Sequence, residues 1–176
     1  MRPPANAPVA DASPVEGAPD SPLPLIRHAS TVAFGPHGGV AISGPAGSGK
    51  STMALALITL GARLVADDRT VTWAGDGALF ARAPGAIAGL LERRGIGLLR
   101  LPPLRLARLC LVIDLSSPQT QRLPEPRQMT WQGVTLPCLR APEATSGLAP
   151  TFPAAVQRYM QESEERCGRG GAMKGR

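Results

Sequence analysis

Hydrophobic and polar positions alternate in short runs along most of the chain, punctuated by glycine and proline, with few stretches long enough for a helix. Residues 25–34 read as a strand with a bend at His28, and Gly35, Pro36, Gly38 and Gly39 mark the turn after it. Val-Ala-Ile-Ser at 40–43 reads as a short buried strand, antiparallel to the first because the turn is short. The apolar run at 53–60 predicts a helix that stops at Gly61. Residues 62–66 form the next expected strand, closing on Asp67-Asp68, and residues 70–73 and 78–81 frame Gly75-Asp76-Gly77 as a hairpin. Pro84 at a first helical position predicts a short helix over 84–91, and Gly95 and Gly97 make 92–99 a loop. Residues 106–115 read as a buried strand, 121–126 as a loop, 129–132 and 134–139 as a hairpin about Gly133, and 154–165 as a helix. Both ends lack periodicity. Prolines at 3, 4, 8, 14, 19, 22 and 24 mark 1–24 as a disordered leader, and 163–176 reads as a flexible Gly/Arg-rich tail, leaving 25–162 as the folded domain.

At 176 residues the chain suffices for one domain with a core. Its 43% hydrophobic and 3% aromatic content means that Leu, Val, Ile and Ala must build that core. A net charge of +6 is as compatible with an acidic protein partner as with RNA. The arginines are scattered and aromatic stacking positions almost absent, so no nucleic-acid partner is expected. The three cysteines are widely spaced, which argues against a disulfide framework or a zinc site. No apolar run reaches membrane-spanning length and no apolar region follows Arg2, so no membrane association is expected and the cytoplasm is the default.

The candidate chemistry begins at Gly44-Pro45-Ala46-Gly47-Ser48-Gly49-Lys50-Ser51, followed by Thr52. The stretch matches the phosphate-binding pattern G-x-x-x-x-G-K-[ST], and it lies between an expected strand and an expected helix, as that pattern requires. Its glycines allow the backbone N–H groups to turn inward around an anion; Lys50 can reach the β- and γ-phosphates, and the Ser51 hydroxyl can ligate Mg²⁺. Average residue usage would produce the four fixed positions by chance in such a chain less than about once in a hundred times. A nucleoside triphosphate is therefore expected. Cys-Leu-Val-Ile-Asp114 resembles the apolar strand that ends in a metal-linked aspartate in many such proteins, which on pattern alone makes Asp114 the first carboxylate to consider.

The loop, its helix, Gly-Ala-Arg-Leu-Val-Ala-Asp67-Asp68 and then Glu92-Arg93-Arg94-Gly95-Ile96-Gly97 together resemble the catalytic domain of the HPr kinase/phosphorylase family, over about residues 28–139. The resemblance implies an α/β phosphate-loop kinase fold with a mixed sheet, like that of HPr kinase and phosphoenolpyruvate carboxykinase. It implies an ATP- and Mg²⁺-dependent protein-serine kinase acting on an HPr-type phosphocarrier, and it allows a homo-oligomer. Carried over by position, His28 falls near an active-site histidine, Lys50 and Ser51 match the loop lysine and metal-binding serine, and Asp68 matches the acid/base aspartate. Glu92 matches a metal-linked glutamate with Arg94, Gly95 and Gly97 after it, and Arg122 matches a later active-site arginine. The catalytic set implied is Asp68, Lys50, His28 and Arg122, with Ser51 and Glu92 at the metal and Asp114 as runner-up. The resemblance is to a short form without the family's N-terminal domain. The segment tied to dephosphorylation has no counterpart, Arg140-Ala-Pro-Glu-Ala-Thr-Ser-Gly standing in its place, which leaves phosphorylase activity unsupported.

Those roles suit phosphoryl transfer, which needs positioning, charge neutralisation and a proton acceptor. Were the strand before Asp67-Asp68 to continue, the two carboxylates would point to opposite sides, one to act as base and the other to hold the metal shell or an arginine. Two alternatives remain open at this level. A small-metabolite kinase would use Arg93, Arg94, Arg100 and Arg105 as a lid, and a regulatory module would bind ATP without turnover.

Overall fold

The computed structural model describes residues 23–143 and 150–169, with side chains described as far as residue 163. The leader expected over 1–24 therefore falls almost wholly outside the described residues, as do 144–149 within the stretch that replaces the dephosphorylation segment. Among the described residues, eleven strands and two α-helices run in the order β1 (Leu25–Arg27), β2 (Ala29–Ala33), β3 (Gly39–Ser43), α1 (Lys50–Thr59), β4 (Arg63–Ala66), β5 (Thr70–Gly75) and β6 (Ala78–Arg82). They continue with β7 (Leu90–Arg93), β8 (Gly97–Arg100), β9 (Ala107–Gln119), β10 (Arg127–Trp131), β11 (Val134–Pro142) and α2 (Phe152–Arg169).

Nine strands form one mixed sheet in the order β1-β5-β6-β9-β3-β2-β4, with β11 and then β10 added beside the far half of β9. The β3–β9 and β9–β11 pairs are parallel and the others antiparallel. Alternation along β2 and β3 feeds two apolar clusters. Val32, Val40 and Ile42 pack with Ala54 and Leu57 of α1 and with Val156 and Met160 of α2. Ala29, Ala33 and Ala41 belong to the other cluster, with Leu79, Leu109, Trp131 and Leu136. Residues that alternate in sequence thus serve opposite sheet faces, which is why both faces must be covered. No helix among the described residues is long and apolar enough to cross a membrane.

The expected bend at His28 is a full break. β1 leaves it to pair with β5, whereas β2 pairs with β3 and β4, so His28 stands where the chain changes partners. Both predicted hairpins close through two-residue turns whose residues all have positive φ, Asp76-Gly77 (49° and 69°) and Gln132-Gly133 (50° and 78°), the geometry that matches strand twist.

The helix expected over 84–91 does not form. A single 3₁₀ turn at Gly85–Ile87 is followed directly by β7. Gly89 is the physical reason: it adopts φ +79°, and a Cβ there would lie 2.6 Å from the Leu101 carbonyl oxygen. The chain is extended so that the Gly89 carbonyl can accept from the Leu101 N–H at 2.8 Å. The loop expected over 92–99 is the antiparallel β7–β8 hairpin, a separate two-stranded sheet anchored by Leu91 and Leu99 opposite each other. Helix α1 starts at Lys50, three residues before its apolar run, and α2 continues into residues assigned above to the tail.

Candidate functional site

The loop between β3 and α1 is shaped by its glycines. A Cβ on Gly44 would meet Ser48 Oγ at 2.7 Å and Leu115 Cβ at 2.9 Å, so only glycine fits against β9. Gly49 takes φ 94°, ψ 18°, as the N-cap residue, and no side chain caps the helix. The first-turn N–H groups of α1 are therefore left for an external acceptor, the arrangement that suits an anion. Lys50 is 6% exposed. Its Nζ donates to the carbonyl oxygens of Pro45 (2.9 Å) and Gly44 (3.1 Å) and lies 2.8 Å from His28 Nε2. An ammonium only donates, so Nε2 accepts, and the imidazole hydrogen sits on Nδ1. Nδ1 in turn lies 3.0 Å from Asp68 Oδ1. One histidine at the β1–β2 break thus joins the loop lysine to the aspartate.

The two aspartates have different surroundings. β4 ends at Ala66, and Asp68 adopts the left-handed region at φ 60°, with the Arg69 N–H donating to the Asp67 carbonyl at 2.6 Å. That tight turn ends the strand alternation, so both side chains face the same cleft instead of opposite sides. Asp67 is 6% exposed and is held by Ser30 Oγ (2.6 Å), Ser51 Oγ (2.9 and 3.2 Å) and the Glu92 N–H (3.0 Å). A buried carboxylate with this many donors is fixed in place. Asp68 is exposed, with its carboxylate beside His28, which leaves it open to an incoming group.

The cleft has a volume of about 270 Å³. His28, Ala46, Gly47, Gly49, Lys50, Ser51 and Thr52 line it, facing Asp67, Asp68, Glu92, Arg93 and Arg94. The residues expected at the site are thus brought together with three exceptions in the loop and one outside it. Gly44 and Pro45 act from behind through their carbonyls on Lys50, and Ser48 faces a neighbouring, more apolar cavity. Arg122 does not line this cleft: it lies beyond the end of β9 in another depression, with Arg127 and Arg140 nearby, because β9 continues five residues past Asp114 and carries the following loop away. Ser30 is not among the residues expected at the site, and Arg93 is expected there only as part of the lid of a small-metabolite kinase. Ser30 holds Asp67, and Arg93 Nη1 donates to Thr52 Oγ1 at 3.2 Å. The available signal for Ser30 was a polar residue inside an otherwise buried strand, where a hydroxyl must find a partner.

Asp114, first choice on pattern alone, stands outside the cleft. It pairs in register with Ser43 but accepts from the Ser116 N–H (2.9 Å), Ser116 Oγ (2.5 Å) and Arg140 Nε (3.4 Å). Burial opposes its ionisation, but the bonds from Ser116 and Arg140 outweigh it and hold the carboxyl below its ordinary value. A depressed folded-state value contributes stability above the unfolded value, near 3.9, that is lost as pH falls through the folded one. Asp114→Asn is therefore expected to reduce the drop in stability between about pH 5 and about pH 2. Urea unfolding midpoints across that range would show it, and an unchanged drop would count against the assignment.

Residues 28–104 match the family model described as the HPr serine kinase C-terminal domain, a stretch that contains His28, the loop, both aspartates and the β7–β8 hairpin. The chain is 52% identical over 62 residues to an HPr kinase/phosphorylase of Exiguobacterium sibiricum, covering 35% of this chain and 20% of that protein. It is 34% identical over 139 residues to one of Limosilactobacillus reuteri, covering 71% of this chain and 43% of that protein. It thus spans less than half the length of these curated relatives. The solved structure of the HPr(Ser) kinase/phosphatase of Coxiella burnetii superposes with a TM-score of 0.66 at 24% identity, over 80% of this chain and 99% of that one, which establishes the same α/β fold. By the stretch that matches and the fold that surrounds it, residues 28–104 correspond to the C-terminal domain of the HPr kinase/phosphorylase family.

Proposed function

We propose that this protein transfers the γ-phosphoryl group of ATP to a serine hydroxyl of an HPr-type phosphocarrier protein in the cytoplasm. The observation that carries the proposal is the line Lys50–His28–Asp68, which sets a phosphate-binding cation and a proton acceptor either side of one imidazole. The uncapped first turn of α1 and Lys50 bind the triphosphate and neutralise its charge. The acceptor serine gives its proton to Asp68 as its oxygen bonds to the γ-phosphorus, and the bond to the bridging oxygen breaks to leave ADP. His28, with Nδ1–H directed at Asp68, keeps that carboxylate turned to the cleft.

Mg²⁺ takes one or two carboxylates together with phosphate oxygens and water. The Ser51 hydroxyl beside the Asp67 carboxylate, with Glu92 on the same cleft, fits that ion. When bound it would supply charge neutralisation at the phosphates. Ser30 keeps the Asp67 carboxylate oriented towards Ser51.

The test is incubation of the purified chain with γ-labelled ATP, Mg²⁺ and an HPr-type phosphocarrier. Label recovered on a carrier serine is the expected result. Tight ATP binding without label on the carrier would instead assign the chain a regulatory, non-catalytic role.

A further inference from the structure

We infer that the outer face of the β7–β8 hairpin is the surface on which the acceptor protein docks, and that it takes a partner presenting an apolar patch flanked by carboxylates. The inference rests on the protein-kinase reading above. Hairpin register divides its side chains cleanly: Leu91 and Leu99 are opposite each other and turn to the core, while Glu92 and Leu98, and then Leu90 and Arg100, share the other face. A hairpin covered on one side should be polar on the other. Here Leu98 is 58% exposed and Ile96, at the turn, 71%. Neither contributes to the core, so folding does not account for them.

Two further features fix the occupant. Glu92, directly across the ladder from Leu98, lines the cleft, so the apolar pair is continuous with the site where the acceptor hydroxyl must arrive. Arg100, exposed and on the same hairpin face as Leu98, borders the pair on a chain of net charge +6, which favours an acidic surface and disfavours another copy of this basic chain. A contact of this small extent makes a weak, quickly exchanging complex, as turnover on a protein substrate needs.

The experiment uses the full chain, a fluorescently labelled HPr-type phosphocarrier and binding read by anisotropy. Ile96→Ser with Leu98→Ser should weaken carrier binding by about tenfold or more while ATP affinity stays unchanged, which also shows that the variant is folded. Arg100→Glu alone should weaken it too, with a reduced dependence on salt. Unchanged carrier affinity in both variants would overturn the inference, as would a wild-type chain that fails to bind the carrier. A change in the chain's own oligomeric mass in the serine variant would also overturn it, assigning the face to contacts between copies. If the wild-type chain binds the carrier through this face but transfers no label, docking stands and the kinase reading falls.

Discussion

Asp68→Asn is expected to abolish measurable phosphoryl transfer to the carrier while leaving ATP affinity within a few fold of the wild type. The geometry makes the substitution a narrow one. Asparagine tolerates the left-handed backbone at φ 60° almost as well as aspartate does. Its amide oxygen can still accept from His28 Nδ1–H, so the Lys50–His28 contact that depends on that tautomer is retained. What is lost is a group able to take the serine proton, which is worth about 10²–10⁴-fold. Since Asp68 is exposed and Asp67 holds Ser51, the nucleotide side of the cleft is not disturbed. Transfer measured with labelled ATP and affinity measured by calorimetry separate the two effects. Transfer at the wild-type rate would remove Asp68 as the base.

Lys50→Met should behave differently, with both transfer and ATP affinity falling, transfer by about 10²–10³-fold. Methionine keeps most of the length and none of the charge. Lys50 spends its hydrogens on Gly44, Pro45 and His28, so its removal strips the loop carbonyls of their donors and frees His28 Nε2. The loop then loses its internal tether as well as its cation. The same calorimetric and label measurements apply, with thermal unfolding to register the loss of the tether. ATP affinity within twofold of wild type would place the triphosphate elsewhere. The contrast between the two variants is the useful part: one keeps binding and loses chemistry, the other loses both.

Much of the fold could be read from local pattern. The loop, its flanking strand and helix, and the hairpins about Asp76-Gly77 and Gly133 depend on near neighbours: glycine at positive φ, alternation over four to six residues, and an apolar run with a glycine stop. The same holds for the list of chemically able residues, because a phosphate loop needs its glycines, lysine and serine contiguous. Helix 84–91 failed for a non-local reason, since the contact that shapes Gly89 is with Leu101.

The surroundings of those residues, in contrast, are set by contacts distant in sequence. By themselves the residues determined that a loop of the phosphate-binding pattern exists and that carboxylates and a histidine lie in its neighbourhood along the chain. Only the tertiary structure separated Asp67, gripped by Ser30, Ser51 and the Glu92 N–H, from Asp68, left open beside His28. It also put Asp114 with Ser116 and Arg140, carried Arg122 past the cleft, and turned the Glu92–Leu98 face outward. The physical reason is one of range. Backbone conformation is set largely by neighbouring residues, whereas the work a carboxylate can do depends on which donors reach it from across the sheet, 16 to 37 residues away in the case of Asp67.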